Sequence, residues 1–195
     1  MRFLQVWALG YIHPRRAFQE LRHQPAPQWG LYAALLRALG IVVFSYVPAI
    51  AFQHPAAPPS YITLFPTEQY YAILLLLAPV VHLGSWLMLS ALTHLILRLM
   101  RRESNFDLLL NIHGMAALMV WLVLQIFDWI TLALGWRDAI FLGISHAFID
   151  VTLLMFLIVI AYRQLMGLSI RLGIGLVLIQ LAIGIPIAAL FLRMP

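Results

Sequence analysis

The sequence predicts an all-α polytopic membrane protein, a bundle of five transmembrane helices preceded by an amphipathic interfacial segment. Of its 195 residues 64% are hydrophobic and only 10% are charged, and the mean hydropathy is +0.95. A soluble domain of this length needs far more charged surface, whereas hydrocarbon around the chain demands the opposite. Apolar runs of the ~20 residues needed to cross a bilayer recur five times between Pro, Gly and charged breaks. With five crossings drawn, the arginines gather on one face, the charge asymmetry of a membrane protein with a fixed orientation.

Residues 1–28 read as a basic interfacial segment. Phe3, Leu4, Trp7 and Tyr11 fall at helical spacing, and Pro14 can open a second short helix that puts Phe18 and Leu21 on one side. Arg15, Arg16 and Arg22 then face lipid phosphates. An apolar stretch this short, running into Arg15 and Arg16 with no small-residue cleavage site, does not read as a signal peptide.

The transmembrane domain, residues 29–195, is read as spans over about 29–52, 68–97, 106–134, 139–162 and 170–192. Arg37 interrupts the first and is expected to snorkel back to the nearer surface, while Pro48 is expected to kink its far end. The uncharged, Pro-rich stretch QHPAAPPSYITLFPT is an external loop. The second span, about 30 residues or ~45 Å, has to tilt or protrude. Ser104-Asn105-Phe106-Asp107 caps the third, Gly135 ends it, and Gly167 followed by Ser169 separates the fourth from the fifth. Small residues on the fifth, Gly173, Gly175 and Gly184 among them, suit close helix packing and a homo-oligomer contact.

All twelve basic side chains are Arg. Placing the N-terminus in the cytoplasm puts Arg2, Arg15, Arg16, Arg22, Arg37, Arg98, Arg101, Arg102, Arg163 and Arg171 on that side, with Arg137 and Arg193 opposite and the C-terminus external. Arg without Lys suggests a GC-rich, prokaryotic genome and hence a cytoplasmic membrane. Cations beside apolar spans fit anionic lipid rather than nucleic acid, so lipid, and a membrane-protein partner or second copy, are the expected partners. Arg98, Arg101 and Arg102 join Arg15, Arg16 and Arg22 as the lipid- or partner-facing set.

Ionisable groups inside spans are costly and are therefore site candidates. His82 stands 14 residues after Glu68, ~21 Å along its helix, and Asp150 stands 12 after Asp138, ~18 Å, so both approach the midplane. His146 shares a helix face with Asp150, and the three form a candidate proton or ion site, with mutual satisfaction of packed polar groups as the structural reading. His94 and His113 lie roughly 6–9 Å from the cytoplasmic boundary on consecutive helices. Two histidine pairs at two depths make His82, His94, His113 and His146 candidate haem b ligands, although 82 and 94 lie ~120° apart around their helix. The expected cofactor is otherwise none. With no Cys, no HExxH, no GxSxG and no P-loop, neither a metal site nor a catalytic residue is predicted, and the chain does not read as an enzyme.

Three stretches, HPRRAFQELRHQPAPQW, LTHLILRLMRRESNFDLLL and AYRQLMGLSIRLGIGL, resemble the bacterial branch of the Yip family of membrane proteins. Pro14 to Phe18, Ser104 with Phe106, and Gly167 to Ser169 stand where that family has Pro-basic-Phe before the first span, a small residue with Phe at the third, and a Gly-Leu-Ser-like turn before the last. The glycine pair often found before the Ser-Phe is replaced by Arg101, Arg102 and Glu103. The resemblance implies five helices and a cytosolic N-terminus, while the charge asymmetry points to a non-enzymatic protein that organises membrane lipids or partners through its basic N-terminal segment and the loop at Arg98 to Arg102. Eukaryotic members bind Rab GTPases in vesicle traffic, but their Asp-Leu-Tyr-Gly-Pro motif is absent here and Rab binding does not carry over. A small proton- or ion-coupled permease using His82, His146 and Asp150, and a haem-binding redox subunit, are the two alternative readings.

Overall fold

The computed structural model describes residues 2–23, 27–51, 69–136 and 139–191. The expected outer loop, the Arg137-Asp138 turn and Arg193 lie outside the described residues. Helix α1 spans Phe3–Ile12 and α2 Pro14–Glu20, extended by a 3-10 turn at Leu21–His23. Next come α3 (Gln28–Ile41), a π-helical turn (Val42–Tyr46) and α4 (Val47–Ala51), in one continuous helical run. Then α5 (Tyr70–Leu99), α6 (Phe106–Ala133), α7 (Ala139–Met166) and α8 (Ile170–Phe191) complete the order.

Five of these segments, beginning at Gln28, Tyr70, Phe106, Phe141 and Ile170, are long and apolar enough to cross a membrane. The protein is an integral membrane protein. Large side chains such as Leu76, Ile144 and Phe148 stand exposed, as lipid-facing residues do, since hydrocarbon solvates them as well as a core would. Helix α6 is the hub, packing on α1, α3, α5 and α7, while α8 closes against α5 and α7. The main core gathers Leu109, Ile112, Met115, Ala116 and Met119 of α6 with Ile158, Ala161 and Tyr162 of α7.

Helix ends are made by two devices. Asn105 caps α6, its side chain accepting from the Leu108 N–H at 3.1 Å, and Ser169 does the same for α8 through Leu172. At the other ends, an N–H two or three residues beyond the helix bonds five or six residues back: Arg102 to the Leu97 carbonyl and Trp136 to Thr131, five back, and Leu168 to Tyr162, six back. That closure needs a left-handed residue in between. Gly135 and Gly167 supply it at φ 73° and 64°, and Arg101 does so at φ 55°.

The π turn has a cause in the sequence. Pro48 has no N–H to offer the carbonyl of Phe44 four residues earlier, and its ring crowds that carbonyl. The helix widens there, and Gln125 of α6 donates from Nε2 to the Phe44 carbonyl at 3.4 Å while Ser45 donates to its Oε1 at 3.2 Å. The expected disturbance by Pro48 is thus a widened turn, capped from a neighbouring helix.

Candidate functional site

The basic N-terminal segment folds as a helical hairpin. The His13 N–H bonds to the Leu9 carbonyl and closes α1, and Pro14, whose missing N–H costs nothing at a first helical position, opens α2. Ala17, Phe18 and Leu21 are buried, and α2 packs on α7, while Arg15, Arg16 and Arg22 stay exposed. Gln19 donates to the Gln164 side chain and Arg22 to the Gln164 carbonyl, fixing α2 near the end of α7.

Helix α1 makes the other arm. Phe3 meets Trp29 and Tyr32 at the start of α3, edge to face with ring centres 6.1 and 6.2 Å apart. At its far end Tyr11 donates to the backbone carbonyl of Met119 at 3.0 Å. Met119 stands thirteen residues into α6, ~20 Å along its axis, so the hairpin runs down the bundle from the end where α3 and α6 begin. Its tip, His13 to Arg16, lies against Phe156 and Ile160 of α7. The interfacial segment is therefore a re-entrant hairpin whose charged turn lies below the helix ends.

Arg98, Arg101 and Arg102 are exposed at the close of α5, at this same basic end. His94 holds the adjoining loop, its Nδ1 2.9 Å from the Ser104 hydroxyl and its ring edge-on to Phe106.

The midplane candidates have different neighbours. His146 Nε2 lies 3.5 Å from Asp128 Oδ2 on α6. Asp150, which shares the face of His146, makes no ion pair among the described residues and stands near enough to Arg37 for an electrostatic influence. In α3 the Arg37 side chain has its Nε buried and without a hydrogen-bond partner among the described residues.

A third cluster, which the charged-residue search missed apart from His113, joins four helices. Ser90 donates to the Trp86 carbonyl and Thr93 to that of Leu89, so each hydroxyl proton is committed. Ser90 Oγ, 2.7 Å from His113 Nδ1, must then accept, which puts the imidazole proton on Nδ1. Nε2 accepts from the Tyr162 hydroxyl at 2.7 Å, and Gln180 donates one amide proton to Tyr162 at 2.8 Å and the other to Thr93. Gln180 Nε2 also lies 3.2 Å from His113 Nε2. His113 and His94 have separate partners rather than facing each other, and both nitrogens of His113 are occupied. The signal that could have revealed the cluster was neutral: Gln180 is an amide in the interior of an otherwise apolar span.

Among the described residues no group of three or more His, Cys, Asp or Glu gathers as a metal site. Compared with known families, residues 9–191 match the Yip1 domain. The chain belongs to the Yip1 domain family. The match takes in the re-entrant hairpin from the end of α1 as well as all five spans, so the hairpin falls within the Yip1 domain rather than being an appendage to it. Neither a curated protein nor a solved structure gives a significant match to the chain.

Proposed function

We propose that this Yip1-domain protein is a non-enzymatic organiser of the membrane, which gathers anionic lipids or a partner protein at its basic end. The observation that carries the reading is the set of exposed arginines there, Arg15, Arg16, Arg22, Arg98, Arg101 and Arg102, none with an acidic partner among the described residues. Juxtamembrane guanidinium groups gain about 1 kcal/mol each from an anionic leaflet, and six of them on one face add up to a lipid preference. The same asymmetry supports a cytoplasmic N-terminus, an external C-terminus and a prokaryotic cytoplasmic membrane. The midplane groups support a structural role, because His146 lies against the Asp128 carboxylate of a neighbouring helix.

The test is co-purification with lipid. Replacing Arg15, Arg16, Arg101 and Arg102 by Gln is expected to lower the anionic lipid and any partner carried through purification. Unchanged carry-over would sink the reading.

A further inference from the structure

The turn of the hairpin borders a cavity of about 410 Å³, open toward the lipid-facing side of α7. That volume lies within the ~300–1,000 Å³ of small-molecule sites. Its walls have two characters: His13, Arg15 and Arg16 from the hairpin, and Ile12, Phe156 and Ile160 as an apolar strip. Phe156 is 54% exposed and Ile12 73%, so the strip is open to acyl chains.

Depth makes the cationic part unusual. Phe156 and Ile160 stand ten and six residues before the end of α7 at Met166, ~15 and ~9 Å along the axis. The apolar part of α7, Phe141–Met166, is ~39 Å long against ~30 Å of hydrocarbon, so a centred helix projects ~4 Å at each end. The cavity wall then sits ~5–10 Å below the hydrocarbon boundary. Two guanidiniums at that level, unpaired among the described residues, either stretch back to the surface or draw polar matter down, and bilayers answer such a demand by local thinning.

We propose that this cavity seats one phospholipid of the basic-end leaflet, its phosphate drawn down onto Arg15 and Arg16 and one acyl chain laid along Phe156 and Ile160. The cavity has the two-part chemistry of that molecule, an anion-binding head beside an apolar channel. Two adjacent guanidiniums suit phosphate oxygens, and the leaflet supplies the ligand at high local concentration. Seating it lowers a headgroup and thins the leaflet beside α7. The inference deepens the proposed function and rests on it, adding a defined site to a general attraction.

The test uses the full chain in nanodiscs of phosphatidylglycerol and phosphatidylcholine, with a photo-crosslinking benzoylphenylalanine in place of Phe156. The site predicts a phospholipid adduct at position 156. In the protein without the crosslinker, Arg15→Gln with Arg16→Gln is expected to lower retained phosphatidylglycerol about tenfold or more, at roughly 1 kcal/mol per lost charge. Arg15→Lys with Arg16→Lys should keep most of it, and millimolar inorganic phosphate should not displace it. If the Gln pair leaves retention unchanged while Arg101→Gln with Arg102→Gln lowers it, the cavity is overturned and the general reading stands. Unchanged retention in both overturns both. An adduct to a protein, or displacement by inorganic phosphate, also overturns the lipid site.

Discussion

The α-carbon of Gly30 lies 2.7 Å from the point where a side chain on Gly114 would begin, so α3 and α6 meet backbone to backbone. One turn away on α6, Asn111 Oδ1 accepts from the Gly30 N–H at 2.6 Å. That N–H is among the first four of α3, which have no partner within their own helix, and Pro27 before them offers no side-chain cap. The crossing thus caps one helix with the side chain of another, and it depends on the missing side chains.

Gly114→Ala and Gly30→Ala are therefore expected to destabilise the protein by about 1–3 kcal/mol, since backbone rather than a flexible side chain has to move. Gly84→Ala and Gly143→Ala meet nothing within 4 Å and should be neutral or slightly stabilising. Thermal unfolding in one detergent separates the two pairs; equal losses would refute the close crossing.

The His113 network predicts non-additivity. Tyr162→Phe and Gln180→Leu should each cost about 0.6–1.7 kcal/mol, the range of buried hydrogen bonds in bilayers. The double variant should cost less than the sum, because Gln180 donates to Tyr162 and that bond is lost only once. Nitrogen NMR of His113 should find the proton on Nδ1, and a proton on Nε2 would contradict the assigned directions.

Arg37 predicts a rescue. Arg37→Leu leaves Asp150 without the charge that stands near it and should lower stability, while Arg37→Leu with Asp150→Leu should recover much of the loss. A double-mutant cycle measures the coupling, expected at about 1–3 kcal/mol. Strict additivity would mean that the two charges do not communicate.

Arg101 sits in the left-handed conformation that costs a non-glycine residue roughly 1–2 kcal/mol. Arg101→Gly should stabilise the protein by about 1 kcal/mol while weakening its hold on anionic vesicles. A stability gain with unchanged vesicle binding would remove Arg101 from the lipid-facing set.

How far the sequence reaches can be followed residue by residue. The five spans were legible because hydrocarbon selects apolar length, a property of consecutive residues. The αL turn at 101 was half legible: the resemblance led one to expect glycine there, and the closure of α5 puts Arg101 in the conformation that glycine favours. The dip of the hairpin was not legible, since helical spacing in α1 shows a buried face without naming Met119 as what covers it. The partner of His146 was not legible, because Asp150 lies on the same helix face and Asp128, its neighbour in space, on another helix. Gln180 and Tyr162 escaped notice because a search for charge overlooks neutral groups, although in lipid an amide needs partners almost as much.

The clasp between Arg22 and Gln164 joins residues 142 positions apart. Residues 3–23 leave the ribosome before the five spans, and the surface on which α2 settles is finished only when α7 has been made. At about 5–20 residues per second, the interval is roughly 7–30 s. Throughout it the hairpin has its apolar side uncovered and four helices still to be inserted around it. Chain order thus has this segment made before the five spans and among the last to reach its place, so its basic turn can rest on lipid headgroups until the wall behind it exists.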